Sequence, residues 1–143
     1  HEEYKSIVLA GGCFDILHSG HLEFLRAAKE KGDMLIILLE SDESIRKRKG
    51  DGKPIHMQEI RAQILSAVTS VDYIVLLTPG MAHQDYDRVV LSIKPAIIAT
   101  TKGDPGLTHK ERQAQLCDAS VVEVIERLPE HASSTLAKEI TKL

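Results

Sequence analysis

The residue types that could do chemistry are concentrated in one segment, Gly11-Gly12-Cys13-Phe14-Asp15-Ile16-Leu17-His18-Ser19-Gly20-His21. Two glycines directly after an apolar run allow a tight turn and let a phosphate approach backbone N–H groups. Gly20 gives the same freedom at the start of an expected helix, whose N-terminus carries partial positive charge. His18 and His21 stand three residues apart, so both imidazoles can project from one side of that first turn. Two ring N–H donors there suit the oxygens of a polyphosphate, above all where negative charge builds up in a transition state at phosphorus. Each feature alone has a plainer reading: a histidine near a helix start caps it, and a Gly-Gly pair is a turn. Cys13, His18 and His21 match the spacing of no common structural zinc site and lack an evident fourth ligand, so no resident metal is expected. A nicotinamide-cofactor reading fails because the three-glycine fingerprint is missing.

The elements that must position these residues follow from the apolar pattern. Five short, buried-strand runs are expected: Ser6–Ala10, Met34–Leu39, Tyr73–Leu77, Ala96–Ala99 and Val121–Ile125. Between them, Leu22, Leu25 and Ala28 follow helical spacing up to a stop at Gly32-Asp33. Ser41-Asp42 can cap the charged segment Arg46-Lys47-Arg48-Lys49. Ile60, Ile64, Leu65 and Val68 mark the apolar face of a helix over Met57–Val68, and a further helix is expected over Asp85–Ile93. A closing helix is expected over Ser133–Leu143. Gaps this short between strands imply parallel pairing through helical crossovers. The expected fold class is therefore α/β, a single-domain open parallel sheet of about five strands with helices on both faces. Ligands in such sheets lie beyond the carboxyl ends of the strands, which directs attention to the loops after strands one, two, four and five.

Composition removes several function classes. The 143 residues are read as one domain over 1–143, with 1–5 as a flexible or appended start. A net charge of −3 and 3% aromatic residues argue against nucleic-acid partners, which need basic surfaces or stacking platforms. No apolar run is long enough to span a membrane. Two cysteines make no disulfide framework, and a reducing, cytoplasmic setting is expected. A small domain acting on small molecules remains.

The pattern Gly-x-Phe-Asp-x-x-His-x-Gly-His after the first strand resembles the cytidylyltransferase-like nucleotidylyltransferases, with His18-Ser19-Gly20-His21 as their His-x-Gly-His motif. The resemblance implies a Rossmann-like fold. It also implies transfer of a nucleoside monophosphate from ATP or CTP to a phosphorylated small molecule, with release of pyrophosphate and with Mg²⁺ carried by the nucleotide. Under it, His18, His21 and Lys49 are the catalytic residues, with Lys47 the alternative to Lys49 in the loop after strand two. Gly11, Gly12, Cys13, Phe14, Gly20, Lys102, Gly103, Asp104, Ser133, Ser134 and Thr135 would bind the nucleotide, and Lys47 and Arg61 the acceptor or phosphates. Phe14 also reads as core, and Asp15 as a residue that orders its loop. Ser41-Asp42-x-Ser44, Lys49-Gly50 and Lys102-Gly103-Asp104 look most like the heptose 1-phosphate branch of lipopolysaccharide core biosynthesis. Glycerol 3-phosphate cytidylyltransferase and FAD synthase are the other acceptor readings, and a nucleotide-sensing module is the non-enzyme one. Family habit implies a homodimer.

Overall fold

The computed structural model describes residues 5–126. Five strands, β1 (Ile7–Gly12), β2 (Met34–Leu39), β3 (Tyr73–Leu76), β4 (Ile97–Lys102) and β5 (Ser120–Glu126), form one sheet in the order β3-β2-β1-β4-β5. All four pairings are parallel. The expected α/β architecture is thus present, with every anticipated strand in place. The helices are α1 (Ser19–Lys29), α2 (Asp42–Lys49), α3 (Gln58–Ser66), α4 (His83–Ile93) and α5 (Leu107–Cys117). None among the described residues is long and apolar enough to cross a membrane.

Alternation along the strands builds two cores. Val8, Ala10, Leu35, Ile37, Leu39 and Ala99 face Phe24, Leu25 and Ala28 of α1 and Leu65 of α3. Leu9, Ile36, Leu38 and Ile98 face the other way, toward Val90 of α4 and Ala114 of α5. A strand covered on both faces needs apolar residues at every position, which is why these strands read as unbroken apolar runs. Each fully buried Leu or Ile contributes roughly 1.5–3 kcal/mol.

The register opens the sheet where function is expected. β1 pairs with β2 along its whole length, from Ile7↔Met34 to Gly12↔Leu39. With β4 it pairs only at Val8↔Ile97 and Leu9↔Ile98. Chain order reverses across these same two strands, so the edges of β1 and β4 beyond Leu9 and Ile98 part at the switch point.

Three expectations need correction. Gly11 and Gly12 are the last two residues of β1, not a turn, and stand in register with Leu38 and Leu39 of β2; the chain turns later. Helix α5 has no counterpart in the expected pattern. Only Ala114 of its residues is buried, so its sequence LTHKERQAQLC carries almost no apolar stripe. In α3 the buried positions are Arg61 and Leu65, whereas Ile60 and Ile64 are 44% and 39% exposed. The helix is rotated because Arg61 turns inward to bond three groups described below.

Candidate active site

The cleft at the switch point has a volume of about 310 Å³ and opens between the ends of β1 and β4. That lies at the lower end of the usual range for small-molecule sites, roughly 300–1,000 Å³. Gly11 and Gly12 form one wall and Ala99, Thr100 and Thr101 the other. A Cβ at Gly12 would lie 3.0 Å from Phe14 Cε2, so a larger residue there would have to displace the Phe14 ring. Phe14 itself is buried at a positive φ of 47°, a backbone strain held in place by its packing in the core under the cleft.

The two histidines enter at the start of α1, and the way the helix is capped settles their chemistry. His18 is the N-cap residue, with extended backbone, and its Nδ1 accepts from the Gly20 N–H at 3.1 Å. His21 reciprocates: its Nδ1 accepts from the His18 N–H at 3.3 Å. Both Nδ1 atoms are therefore acceptors, which in a neutral imidazole places the proton on Nε2. The capping reading holds, and each ring spends only one of its two nitrogens on the helix. The Nε2 of His18 is buried and finds no hydrogen-bond partner among the described residues. A desolvated donor without a partner is costly, and is expected where a ligand supplies the acceptor. The rings lie 4.0 Å apart between centroids. Burial, then the neighbouring His18 and Lys49, lowers the His21 pKa to about 4, so this imidazole is neutral at physiological pH. His21 lines the cleft directly and its ring stands 5.7 Å from that of Phe14. Gly20 supplies the N–H that His18 binds.

Other expected residues fall into four groups. Lys49, the last residue of α2, and Cys13 line the cleft, as does Asp104. Asp104 accepts from the Thr100 hydroxyl at 2.6 Å, from the Gly106 N–H at 2.7 Å and from Lys110. Burial opposes its ionisation, but these donors outweigh it and hold the carboxyl below its ordinary range. Lys102, the last residue of β4, and Gly103 are exposed beside it. Lys47 is turned away: it pairs with Glu43 at 2.8 Å and lines a neighbouring cleft. Ser133, Ser134 and Thr135, with the expected closing helix, lie outside the described residues.

Arg61 is the clear correction. Its side chain has no exposure, and it donates to the Cys13 carbonyl at 2.8 Å, the His56 carbonyl at 2.9 Å and Asp42 Oδ1 at 2.7 Å. So placed, it cannot meet an acceptor; it ties the loop after β1 to the start of α2 and the segment before α3. Asp15 does related work, as its structural reading anticipated, but over a longer range. It accepts from the Ile55 and His56 N–H groups at 2.7 and 2.8 Å. Arg61 and Asp15 together clamp the catalytic loop to residues 55–56.

Sequence reasoning missed Glu40, Arg48, Thr100 and Lys110, all of which line the cleft. Arg48 forms a two-pronged pair with Glu40 at 2.9 and 2.8 Å, and its Nη2 donates to Cys13 Sγ at 2.7 Å. Burial, reinforced by Glu40, pushes the Cys13 thiol up, so it is no nucleophile at neutral pH. Three carboxylates line this cleft: Glu40 and Asp104 are each engaged by a cation, and Asp15 by two backbone N–H groups. Among the described residues no three His, Cys, Asp or Glu side chains converge as a metal site. Thr100 could have been found from the switch-point rule, since it ends the apolar run of β4.

The family model described as cytidylyltransferase-like matches residues 9–140. Among curated proteins, "Bifunctional protein HldE" of Wolinella succinogenes is 35% identical over 95% of this chain and 27% of its own length. The protein of the same name from Nitratiruptor sp. is 41% identical over 68% of this chain and 20% of its own. The chain thus spans about a fifth to a quarter of the length of these relatives. A protein named "FAD synthase" from Pyrococcus horikoshii is 45% identical over 66% of this chain and 62% of its own length. Among solved structures, a lipopolysaccharide core biosynthesis protein from Thermoplasma volcanium superposes with a TM-score of 0.71 at 26% identity, covering 89% of this chain and all of the other.

Proposed function

The chain belongs to the cytidylyltransferase-like family, and from that premise we propose that it moves a nucleoside monophosphate from ATP or CTP to a phosphorylated sugar. The acceptor is of the heptose 1-phosphate kind, in lipopolysaccharide core biosynthesis. The observation that carries the reading is the capped histidine pair: both Nδ1 atoms are committed to α1, the buried His18 Nε2 is left without a partner among the described residues, and His21 lines the switch-point cleft. The T. volcanium structure and the relatives named HldE support the sugar branch.

The chemistry needs no protein nucleophile. A phosphate oxygen of the acceptor, ionised at neutral pH, attacks the α-phosphorus of the metal-bound triphosphate in line. The new P–O bond forms as the bond to the bridging oxygen breaks, and pyrophosphate leaves with that electron pair. Magnesium belongs to the substrate, carried by the phosphates. His18 and His21 donate to oxygens on which charge accumulates, and Lys49 neutralises phosphate charge. Their neutrality is useful: a donor fixed by the helix costs no reorganisation when charge develops. Gly11 and Gly12 let the nucleotide approach the strand ends, and Asp104, aligned by Lys110, orders the β4–α5 turn beside it. Ser133, Ser134 and Thr135 would add phosphate contacts from the chain's end. Such an enzyme works in the cytoplasm, where triphosphates are made.

A homodimer is part of the proposal. Met57, Ile60 and Ile64 form an exposed stripe on α3, next to the edge strand β3 with exposed Tyr73 and Leu76. An apolar strip beside an open edge is the surface a second copy would cover.

The test is pyrophosphate release from each of four triphosphates with heptose 1-phosphate, glycerol 3-phosphate and FMN. Release with a sugar phosphate and ATP or CTP is expected. Release with FMN alone would favour the FAD synthase reading that the P. horikoshii relative supports. Triphosphate binding without release for any acceptor would favour a sensor.

A further inference from the structure

The geometry points to Arg48 as the residue that delivers the acceptor's phosphate to the nucleotide, from a second cleft that holds the acceptor's hydroxylated body. This rests on the transferase reading above and names a substrate subsite for it.

In-line transfer requires the acceptor to enter the nucleotide cleft from a space that opens into it. A second cleft of about 250 Å³ lies beyond the ends of β2 and β3, where α2 begins. Its lining includes Ser44, Glu43, Thr78 and Tyr86, with Lys47 at its rim. Hydroxyls and a carboxylate around an aromatic ring form a surface for a polyol: the carboxylate accepts from sugar hydroxyls, and the ring covers C–H faces. A third cleft also meets the first, but Leu9, Leu38, Leu77, Val90 and Ile98 line it, which suits a flat base rather than a sugar. Among the lining residues of the first two clefts, Arg48 alone is shared.

Its bonding fits the task. A guanidinium has five N–H donors, and Arg48 spends three, two on Glu40 and one on Cys13 Sγ. The other two can take a phosphate while the pair with Glu40 stays closed. That pair matters, because Glu40 lines the nucleotide cleft and its bare charge would repel a triphosphate. The Arg48 side chain is 53% exposed where the two clefts meet, so an incoming phosphate can reach it without displacing Glu40. Arg48 is thus both the cover for Glu40 and the bridge to the acceptor.

Removing Arg48 alone would unmask Glu40, so the test uses Glu40→Gln/Arg48→Gln against Glu40→Gln. In steady-state kinetics with heptose 1-phosphate, the double variant is expected to raise the acceptor KM at least about tenfold, while the triphosphate KM changes less than about threefold. Ser44→Ala/Thr78→Val should lower kcat/KM for heptose 1-phosphate relative to glycerol 3-phosphate by a similar factor. An unchanged acceptor KM, or an equal rise in both KM values, overturns the inference. Were wild-type protein to release no pyrophosphate from any acceptor, the transferase reading would fall. Calorimetric titration of heptose 1-phosphate in the presence of a non-hydrolysable ATP or CTP analogue still reads Arg48. Binding to wild type that the double variant loses supports the subsite. Equal binding, or none to wild type, overturns it.

Discussion

Replacing Arg61 separates two accounts of the same residue. Arg61→Leu removes a guanidinium with no exposure that holds two backbone carbonyls and the Asp42 carboxylate. Breaking a buried pair by deleting one partner costs about 3–5 kcal/mol, because the remaining groups lose their partner inside the protein. Asp42 is 28% exposed and can regain water, which places the ionic part at the low end. The hydrogen bonds to the Cys13 and His56 carbonyls add about 0.5 kcal/mol each, the low end for a net hydrogen bond. A loss of about 4 kcal/mol is a large share of the 5–15 kcal/mol that holds a domain of this size. With a urea slope of about 2 kcal/mol per M, the midpoint should fall by roughly 2 M. Arg61→Lys keeps the charge but not the fork, and should lose more than half as much. Urea unfolding followed by circular dichroism reads both variants. A variant as stable as wild type, with a raised acceptor KM, would refute the strut and restore Arg61 to the acceptor.

Two further outcomes follow from the loop and the histidines. The His21 pKa of about 4 lies below its ordinary value of 6.5, so the unfolded chain takes up a proton that the folded one refuses. Stability present above pH 6.5 is therefore lost as the pH falls from 6.5 toward 4, by roughly 2 kcal/mol after solvent screening. Urea midpoints at pH 7.5 and 4.5 should show that loss shrinking in His21→Gln; identical losses in both proteins would contradict it. Asp15→Ala should cost roughly 2–4 kcal/mol, from two bonds to a buried acceptor whose loss leaves the Ile55 and His56 N–H groups without a partner. The Ile55 and His56 amides should then exchange with deuterium faster than in wild type, and unchanged rates would count against the clamp.

The fold was legible where one force decides local structure. The inner strands β1, β2 and β4, covered on both faces, had to be largely apolar, and the edge strands β3 and β5 still showed short β-branched runs, so all five could be read. Helix α5 could not, because it touches the sheet chiefly through Ala114 and its remaining surface is polar. The α3 face was misread for the opposite reason. Ile60 and Ile64 follow helical period, but three hydrogen-bond partners brought together by tertiary folding draw Arg61 inward instead. In the site, His18 and His21 were visible because they stand three residues apart at a glycine-marked helix start. Arg48 and Glu40 were not: one hides in a run of four basic residues and the other ends an apolar strand. Only the folded chain shows which cation of that run meets which carboxylate.

The central claim is that the Nε2–H donors of the helix-capping histidines act on the triphosphate during transfer. His18→Asn tests it most directly, since the Asn oxygen can replace Nδ1 as the acceptor for the Gly20 N–H and keep the cap while Nε2 is lost. The measurement is the single-turnover rate of nucleotidyl transfer at saturating triphosphate and sugar phosphate. The account predicts a fall of at least about a hundredfold with an unchanged urea midpoint. A rate within threefold of wild type in the folded variant would contradict it.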